Sequence, residues 1–380
     1  MRRLDLRPPD ERDLAQIPFK SLYAKEIYDA PTADGWMLQI SRYRPVPQSW
    51  EQPIFGEPLL LVPGWSQNRH CFTCGAFVKQ LLAYGADIHI LELRGHGRSS
   101  RNLQIDRGLH PPDLDWGWDL DSYFLYDVPA GIGAVKERTG SAKIFYLGAS
   151  MGGMLGYGHA GCRDDLAGLI TIGAPSDLGR GFLRLRLAAR FGPALIGPLI
   201  DAACHAASGL SRKRVRFNHV PVDSLLRLAA NRKLRYALRA LFNPSRVTED
   251  ELCFLFSEGG EKEPRRVVEQ FARWIRNDEM KCYATGYDYK AHFPRIDIPL
   301  AVIFGDLDRI ASQKSTSGIT RNARSQYLLW RAVKQNSHLE LTMGSDIDQI
   351  CRDVKDLVEY AARKRRLQAV HSLGEDGAAC

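Results

Sequence analysis

The chain has 380 residues, of which 44% are apolar, and a formal net charge of +8. This is enough apolar material for a buried core in one domain or two. No apolar run reaches the roughly 18 residues that span a bilayer, and no apolar stretch follows the charged N-terminus as in a signal peptide. The sequence therefore predicts a cytoplasmic protein, and its eight scattered cysteines do not indicate a disulfide framework.

Strand and helix patterns alternate along the chain, which is typical of an α/β fold built on a mostly parallel sheet with helices on both faces. In chain order the sequence predicts a hairpin over 24–45, a strand at 58–62, a helix at 72–84, a strand at 88–93, a helix at 119–138, a strand at 142–147 followed by a helix, and a strand at 166–172. After a long gap come strands at 299–304 and 327–330 and a closing amphipathic helix at 347–364.

The gap between the strands at 166–172 and 299–304 is too long for a simple connection, so we interpret it as an inserted cap. The predicted organisation is an N-terminal arm (1–22), the first part of the core (23–175), a helical cap insertion (176–293), the second part of the core (294–366) and a flexible tail (367–380).

The first part of the insertion is strongly basic, with fourteen Lys or Arg and three Asp between residues 176 and 246. Helical spacing puts apolar residues on one face (Leu234, Leu238, Leu241 and Phe242) and arginines on another (Arg232, Arg235 and Arg239). Such a helix either makes peripheral contact with an anionic membrane or is a lid with solvated arginines, and both interpretations stay open. Nucleic-acid binding is disfavoured because no aromatic-interleaved groove or known motif accompanies the charge.

The most informative motif is Gly148-Ala149-Ser150-Met151-Gly152, which follows an apolar strand and precedes a helix. This order of strand, G-x-S-x-G turn and helix is typical of a nucleophile elbow. Gly148 and Gly152 remove the Cβ atoms that would collide in so sharp a turn. The sequence therefore predicts that Ser150 is a nucleophile and that the N–H of Met151 stabilises the oxyanion.

A nucleophilic serine needs a base, and the base needs an acid that orients it. Asp308 follows the strand at 299–304 and His338 follows the last strand, which gives the chain order Ser, Asp, His of nucleophile-elbow enzymes. Asp308 is preferred to Asp306 because it lies further along the turn. His96, in a tight turn after an earlier strand, is interpreted as structural because His338 fills the position of the base better.

A second oxyanion donor is expected in the loop after the strand at 58–62, where Gly64 lets the backbone approach the substrate. We assign it to the N–H of Trp65, with a plain turn before a helix as the alternative. Cys71 and Cys74 form a C-x-x-C pair, but no second pair completes a zinc site, so both are interpreted as packing thiols. The predicted chemistry requires no metal and no organic cofactor.

At these positions the chain resembles the α/β-hydrolases, and more narrowly the acid lipases of the lysosomal and gastric type and their bacterial relatives. The matching stretches are 32–38, 121–130, the elbow around Ser150 and 337–341, and the resemblance covers most of 23–366 except the insertion. It implies hydrolysis of carboxylic esters through Ser150, Asp308 and His338, under a helical cap that admits an acyl chain. The chain differs from that family in having Pro before Gly64, and Ala and Met on either side of Ser150.

The sequence thus predicts a serine hydrolase that acts on a small-molecule ester of hydrophobic, lipid-like character. One alternative is an acyltransferase of the same fold, in which an alcohol or thiol replaces water as the acyl acceptor. An alternative of another class is a non-catalytic protein that binds lipid or a partner on this fold. A triad alone does not separate the first two, because both pass through the same acyl-enzyme.

Overall fold

The computed structural model describes residues 23–45, 55–181, 219–230, 235 and 238–376, with side chains as far as residue 365. These residues form an eight-stranded sheet in the order β1-β2-β4-β3-β5-β6-β9-β10. The pairs β1–β2 and β2–β4 are antiparallel, and the other neighbours are parallel. The strands are β1 Tyr23–Pro31, β2 Met37–Pro45, β3 Leu59–Val62, β4 Ile88–Glu92, β5 Ile144–Ala149, β6 Leu166–Ile172, β9 Leu300–Gly305 and β10 Leu328–Val333, while β7 His219–Val220 and β8 Glu263–Pro264 form a separate antiparallel pair.

The strands β3, β5 and β9 are buried along their whole length and consist almost entirely of apolar residues, as expected when both faces of a strand are covered. In β3, Leu60 and Val62 belong to one hydrophobic cluster and Leu59 and Leu61 to the other, as expected when side chains alternate across a strand. The α-helices of the described ranges are α1 His70–Thr73, α2 Phe77–Ala83, α3 Arg101–Asp106, α4 Leu120–Ser122, α5 Val128–Thr139, α6 Met151–Cys162, α7 Val222–Ala229, α8 Glu249–Glu258, α9 Arg265–Asn277, α10 Gln313–Asn322 and α11 Ile347–Asp376. Within the described ranges, no helix combines the length and the apolar character needed to cross a membrane.

Three helices differ from their predicted form. The helix predicted at 72–84 is two short helices, and Gly75 lies between them, where a Cβ would be 2.6 Å from the carbonyl oxygen of Met343. The helix predicted at 119–138 contains a π-helical turn at Tyr123–Asp127. The closing helix continues to Asp376, so the stretch 367–376, assigned from the sequence to a tail, is helical.

The predicted basic face of the insertion is wrong at Arg235. This side chain is 4% exposed, donates hydrogen bonds to the carbonyl oxygens of Ala229 and Ala230, and pairs with Glu249 at 2.8 Å. It therefore caps the C-terminal end of α7, where a cation satisfies free carbonyl groups. Leu238 is in a 3₁₀-helical conformation and 239–241 form turns, so no α-helix continues through these residues. Arg232 and Leu234 lie outside the described residues.

Candidate active site

Ser150 lies between β5 and α6 in a strained backbone conformation. Its φ is +51° and its ψ is −117°, a region that residues with a Cβ rarely occupy. Its N–H donates to the carbonyl oxygen of Ile172 at the end of β6, at 2.8 Å, and its own carbonyl accepts from the N–H of Gly153 at 3.0 Å. These bonds on both sides hold the turn sharp and leave the side chain at the carboxyl edge of the sheet.

The glycines of the elbow are required by close backbone contacts. A Cβ on Gly148 would lie 2.3 Å from the carbonyl carbon of Gly152, and a Cβ on Gly152 would lie 2.2 Å from the carbonyl oxygen of Val62. A Cβ on Gly64 would lie 3.1 Å from the Cβ of Ser150. The loop after β3 therefore lies directly against the elbow, and all three glycines singled out in the sequence are at this contact.

The structure brings Ser150, His338 and Asp308 together in one hydrogen-bonded chain. The Nε2 of His338 is 3.0 Å from the Oγ of Ser150, and its Nδ1 is 2.7 Å from the Oδ2 of Asp308. The other oxygen of Asp308 accepts from the N–H groups of Ile310 and Ala311, at 2.7 and 2.9 Å. The carboxylate is thus held from both sides and faces the imidazole.

Asp306 does not take part in this arrangement. Its carboxylate is partly exposed and lies 3.9 Å from the Nζ of Lys334. Asp308, two residues further along the turn, is 4% exposed. The geometry therefore separates the two aspartates in the way that the position along the turn predicts.

Two carboxylates determine the electrostatics of His338. Burial by itself would lower the pKa of this imidazole, but the charge and hydrogen bond of Asp308 and the charge of Glu340 outweigh it and raise the pKa above its ordinary value. An imidazole that is stabilised when protonated is suited to accept a proton from the neighbouring hydroxyl.

The insertion holds the loop that carries His338. The N–H groups of His338 and Leu339 donate to the carbonyl oxygen of Leu241, at 3.1 and 3.0 Å. The buried carboxylate of Glu340 accepts from the N–H of Asn243 at 2.9 Å and also from the N–H of Ser337. Glu340 was included in the sequence motif at 337–341, but its role as a link to the insertion depends on a contact 97 residues away in sequence.

The predicted oxyanion donors flank the serine. Met151 is the first residue of α6, where N–H groups have no partner within the helix. Trp65 follows Gly64 in the 63–68 loop, and no hydrogen bond between described residues uses the N–H of either Trp65 or Met151. Met151 is next to Ser150 in the chain, and Gly64, which precedes Trp65, packs on the Cβ of Ser150. Both amides are therefore candidates for binding a negative oxygen.

The 63–68 loop has contacts to the insertion that the sequence did not predict. The carboxylate of Glu263, in β8, accepts from the N–H of Ser66 at 2.7 Å. Glu263 comes from the run Glu-Gly-Gly-Glu-Lys-Glu at 258–263, whose composition is typical of a solvated loop. Glu263 is buried and Glu261 is partly buried, whereas Glu258 is exposed. No local pattern in the sequence distinguishes these three residues.

His96 lies away from the triad, beside Glu263, with 3.5 Å between its Nε2 and the carboxylate Oε1. The imidazole next to Ser150 is that of His338. Cys71 and Cys74 are free thiols, and burial raises the pKa of both, that of Cys74 to about 12. Both are therefore protonated at neutral pH, which fits their interpretation as packing groups.

A cavity of about 620 Å³ lies beside Asp308. Its described lining includes Asp308 and Ser337 but not Ser150, and the cationic residues around it are Arg180, Arg239, Arg309 and Lys314. Arg239, which the sequence placed on a basic face, thus lines this cavity. Of Ser150, Asp308 and His338, the lining of the cavity includes only Asp308.

Two of the motifs that carry the resemblance have structural roles near the site. The guanidinium of Arg94, 1% exposed, pairs with Asp34 at 2.6 Å and with Asp127 at 2.7 Å. Asp121 accepts from the amide of Gln270 and from the N–H groups of Tyr283 and Ala284, at 2.7 to 2.8 Å. The motif at 32–38 thus supplies Asp34, which links the β1–β2 turn to Arg94 after β4. The motif at 121–130 supplies Asp121, which links α4 to the insertion.

Comparisons with known proteins agree with this architecture. A family model described as alpha/beta hydrolase fold matches residues 57–187. The human protein Lipase member K is 28% identical over 174 residues, which are 43% of this chain and 42% of that protein. Tear acid lipase-like protein of Mesocricetus auratus is 26% identical over 160 residues, 40% of this chain and 38% of that protein. The chain therefore spans about two fifths of the length of these curated relatives.

Solved structures match over a larger share of the chain. The esterase RhEst1 from Rhodococcus sp. ECU1013 has a TM-score of 0.54 and 17% identity, covering 87% of this chain and 98% of that chain. A membrane phospholipase A described as a bacterial virulence factor has a TM-score of 0.53 and 14% identity, covering 90% and 89%. Together with the sheet order, these matches show an α/β-hydrolase fold, and the chain is similar in part of its sequence to lipases.

Proposed function

We propose that the protein is a serine hydrolase that cleaves a carboxylic ester of a hydrophobic, lipid-like substrate through an acyl-enzyme on Ser150. One observation carries the proposal: the chain of hydrogen bonds from Ser150 through His338 to Asp308, with lengths of 3.0 and 2.7 Å. The hydrophobic character of the substrate is supported by the lipases among the relatives.

In the first step the Nε2 of His338 takes the proton of Ser150 while the Oγ attacks the ester carbonyl. Asp308 keeps the Nδ1 of the imidazole protonated and stabilises the imidazolium that forms. The N–H groups of Trp65 and Met151 stabilise the oxyanion of the tetrahedral intermediate. His338 then gives its proton to the leaving alcohol, which departs as the acyl-enzyme forms.

In the second step His338 activates a water that attacks the acyl-enzyme, and Ser150 is regenerated. These steps use side chains and backbone amides only and require no metal or organic cofactor. The insertion at 176–293 serves in this proposal as a cap over the core, which comprises 23–175 and 294–366. Its contacts to the loops of His338 and of Trp65 support a cap beside the site.

The test measures hydrolysis of p-nitrophenyl esters of graded chain length, together with labelling by a fluorophosphonate probe. Ser150→Ala should abolish labelling and lower turnover by up to about 10⁶-fold, as expected when a triad serine is removed. Asp308→Asn should lower turnover by up to about 10⁴-fold through the wrong tautomer of His338. Asp306→Asn is the matched control and should stay close to wild type, because Asp306 does not contact the imidazole.

Wild-type turnover in Ser150→Ala would rule out the proposed mechanism. Absence of both hydrolysis and labelling in the folded wild type would favour a binding protein on the same fold. Product analysis with and without an acceptor alcohol separates hydrolysis from acyl transfer, because a transferase forms a new ester in the presence of the alcohol.

A further inference from the structure

The 63–68 loop contains a backbone conformation that its own residues do not favour. Ser66 has a φ of +57°, although it carries a Cβ. A left-handed conformation at a residue other than glycine is unfavourable, and it persists only where the surroundings hold it. The same loop contains Gly64 and Trp65. The contacts that hold Ser66 therefore also restrain the loop that carries the proposed oxyanion donor, the N–H of Trp65.

The 258–263 segment of the insertion holds this loop by backbone and side-chain contacts. Glu261 donates its N–H to the carbonyl oxygen of Ser66 at 2.9 Å, and its own carbonyl accepts from the Ser66 hydroxyl. The side chain of Asn68 donates to the carbonyl oxygen of Glu258 at 2.8 Å and to the carboxylate of Glu261 at 2.6 Å. The 63–68 loop and the 258–263 segment are therefore joined by hydrogen bonds in a manner similar to two neighbouring strands.

Glu263 makes the contact closest to the donor. Its Oε1 accepts from the N–H of Ser66 at 2.7 Å, and that N–H belongs to the peptide group between Trp65 and Ser66. A peptide group is planar, so this bond holds the carbonyl group of Trp65 together with the N–H of Ser66 and restrains rotation about the ψ angle of Trp65. The N–H of Trp65 lies one peptide group earlier, and with Gly64 packed on Ser150 it has little freedom to turn away.

The carboxylate of Glu263 is itself held rigidly. The residue is fully buried, and its Oε2 accepts from the hydroxyl of Tyr123 at 3.1 Å. That hydroxyl accepts in turn from the indole N–H of Trp118 at 2.7 Å, and the imidazole of His96 lies 3.5 Å from Oε1. Burial raises the pKa of Glu263, and the charge or hydrogen bonds of His96, Ser66 and Tyr123 oppose that shift. Because each oxygen of this buried carboxylate accepts a hydrogen bond, one from Ser66 and one from Tyr123, its position is restricted.

We propose that Glu263 is a positioning residue for the oxyanion donor of Trp65, and that the insertion thereby contributes to the catalytic step. The inference rests on the proposed function of Ser150. Glu263 does not contact substrate in this proposal; it acts through the peptide group between Trp65 and Ser66. Its replacement should affect kcat more than KM, since oxyanion stabilisation operates in the transition state and not in the ground state.

The test compares Glu263→Met with Glu263→Gln. The Met side chain fills a similar volume but leaves the N–H of Ser66 without an acceptor, so kcat should fall by about 10²–10³-fold with KM nearly unchanged, as when one oxyanion donor is lost. The Gln side chain keeps an acceptor oxygen in place and should retain kcat to within about tenfold. Thermal unfolding of each variant shows whether it is folded.

Asp353→Leu is the matched control for the loss of a buried carboxylate. Asp353 is 1% exposed and accepts from Arg331 at 2.8 and 3.0 Å, between α11 and the edge strand β10, far from the 63–68 loop in the sheet order. Its replacement should lower stability but leave kcat unchanged. If Glu263→Met does not fold, Glu263→Asp serves instead, because it keeps the charge and withdraws the acceptor by one methylene.

Wild-type kcat in folded Glu263→Met or Glu263→Asp would overturn the inference. So would a loss in Glu263→Gln as large as that in Glu263→Met. Either result, obtained while Ser150→Ala is inactive, leaves the proposed function standing. An active Ser150→Ala would instead remove the proposed function on which the inference depends.

Discussion

Two carboxylates serve His338 in different ways. Asp308 contacts the Nδ1 directly at 2.7 Å, so it determines the tautomer as well as the charge of the imidazole. Glu340 contacts the backbone N–H groups of Ser337 and Asn243 and acts on the imidazole through its charge. The two effects can be separated by experiment, because an amide in place of the Glu340 carboxylate keeps an acceptor oxygen and removes the charge.

Glu340→Gln should move the acid limb of the pH profile of kcat/KM to lower pH. His338 must be neutral to accept the proton of Ser150, so activity falls as the pH drops below the pKa of His338. That pKa is raised, after the opposing effect of burial, by Asp308 and then by Glu340. Removing the charge of Glu340 lowers it, and the neutral imidazole then persists to lower pH.

The control is Glu359→Gln, on the partly exposed face of α11 beside Lys355, which should leave the profile unchanged. The measurement is kcat/KM for a soluble ester across the acid range. An acid limb in Glu340→Gln that stays in place or moves to higher pH would contradict the role assigned to this charge.

At the scale of elements, the parts that could be predicted from the sequence are those with a local pattern. The strands β3 and β5 have continuous apolar runs, and the elbow has its glycines. The arrangement of Ser150, Asp308 and His338 followed from the order of three strand ends. The contact between Glu263 and Ser66 spans 197 residues, and no local pattern encodes it. Helical spacing misplaces Arg235 for a related reason, because its burial depends on contacts with the end of α7 that a spacing rule does not encode.

The close backbone packing of the elbow can be tested by a substitution at Gly152. In Gly152→Ala the new Cβ would lie 2.2 Å from the carbonyl oxygen of Val62 and 2.6 Å from that of Pro63. The end of β3 or the start of α6 must therefore move. We expect a loss of about 1–3 kcal/mol in the free energy of unfolding, typical of overpacking, together with a large loss of ester turnover.

Gly133→Ala is the matched substitution in a neighbouring helix. Gly133 lies within α5, and a Cβ there would have no neighbour within 4 Å. Alanine should raise the free energy of unfolding by about 0.5–1 kcal/mol, because glycine is less favourable than alanine inside a helix. Urea unfolding measures both variants. Equal effects of the two substitutions would mean that the close packing at Gly152 has no energetic consequence.

At the scale of the whole molecule, buried ion pairs join parts of the chain that are far apart in sequence. Arg94 follows β4 and pairs with Asp34, in the turn between β1 and β2, and with Asp127, in the π-helical turn before α5. Its guanidinium also lies over the ring of Trp36, 5.4 Å from the centroid. A turn, a strand end and a helix thus meet at one cation. The stretches 32–38 and 121–130, which resemble lipases, supply its two carboxylates, so part of that resemblance reflects folding and not catalysis.

Arg94→Met should lower the free energy of unfolding by about 3–5 kcal/mol, because it leaves the fully buried carboxylate of Asp127 without its counter-ion. Arg352→Met is the control: Arg352 pairs with Asp348 on the surface of α11, half of its side chain is exposed, and its loss should change stability by no more than about 0.5 kcal/mol. Urea unfolding gives both values. Similar small losses in both variants would show that Asp127 finds other partners or takes up a proton. In the expected case, Arg94→Met combined with Asp127→Asn should recover part of the loss, since the penalty comes from the unpaired charge.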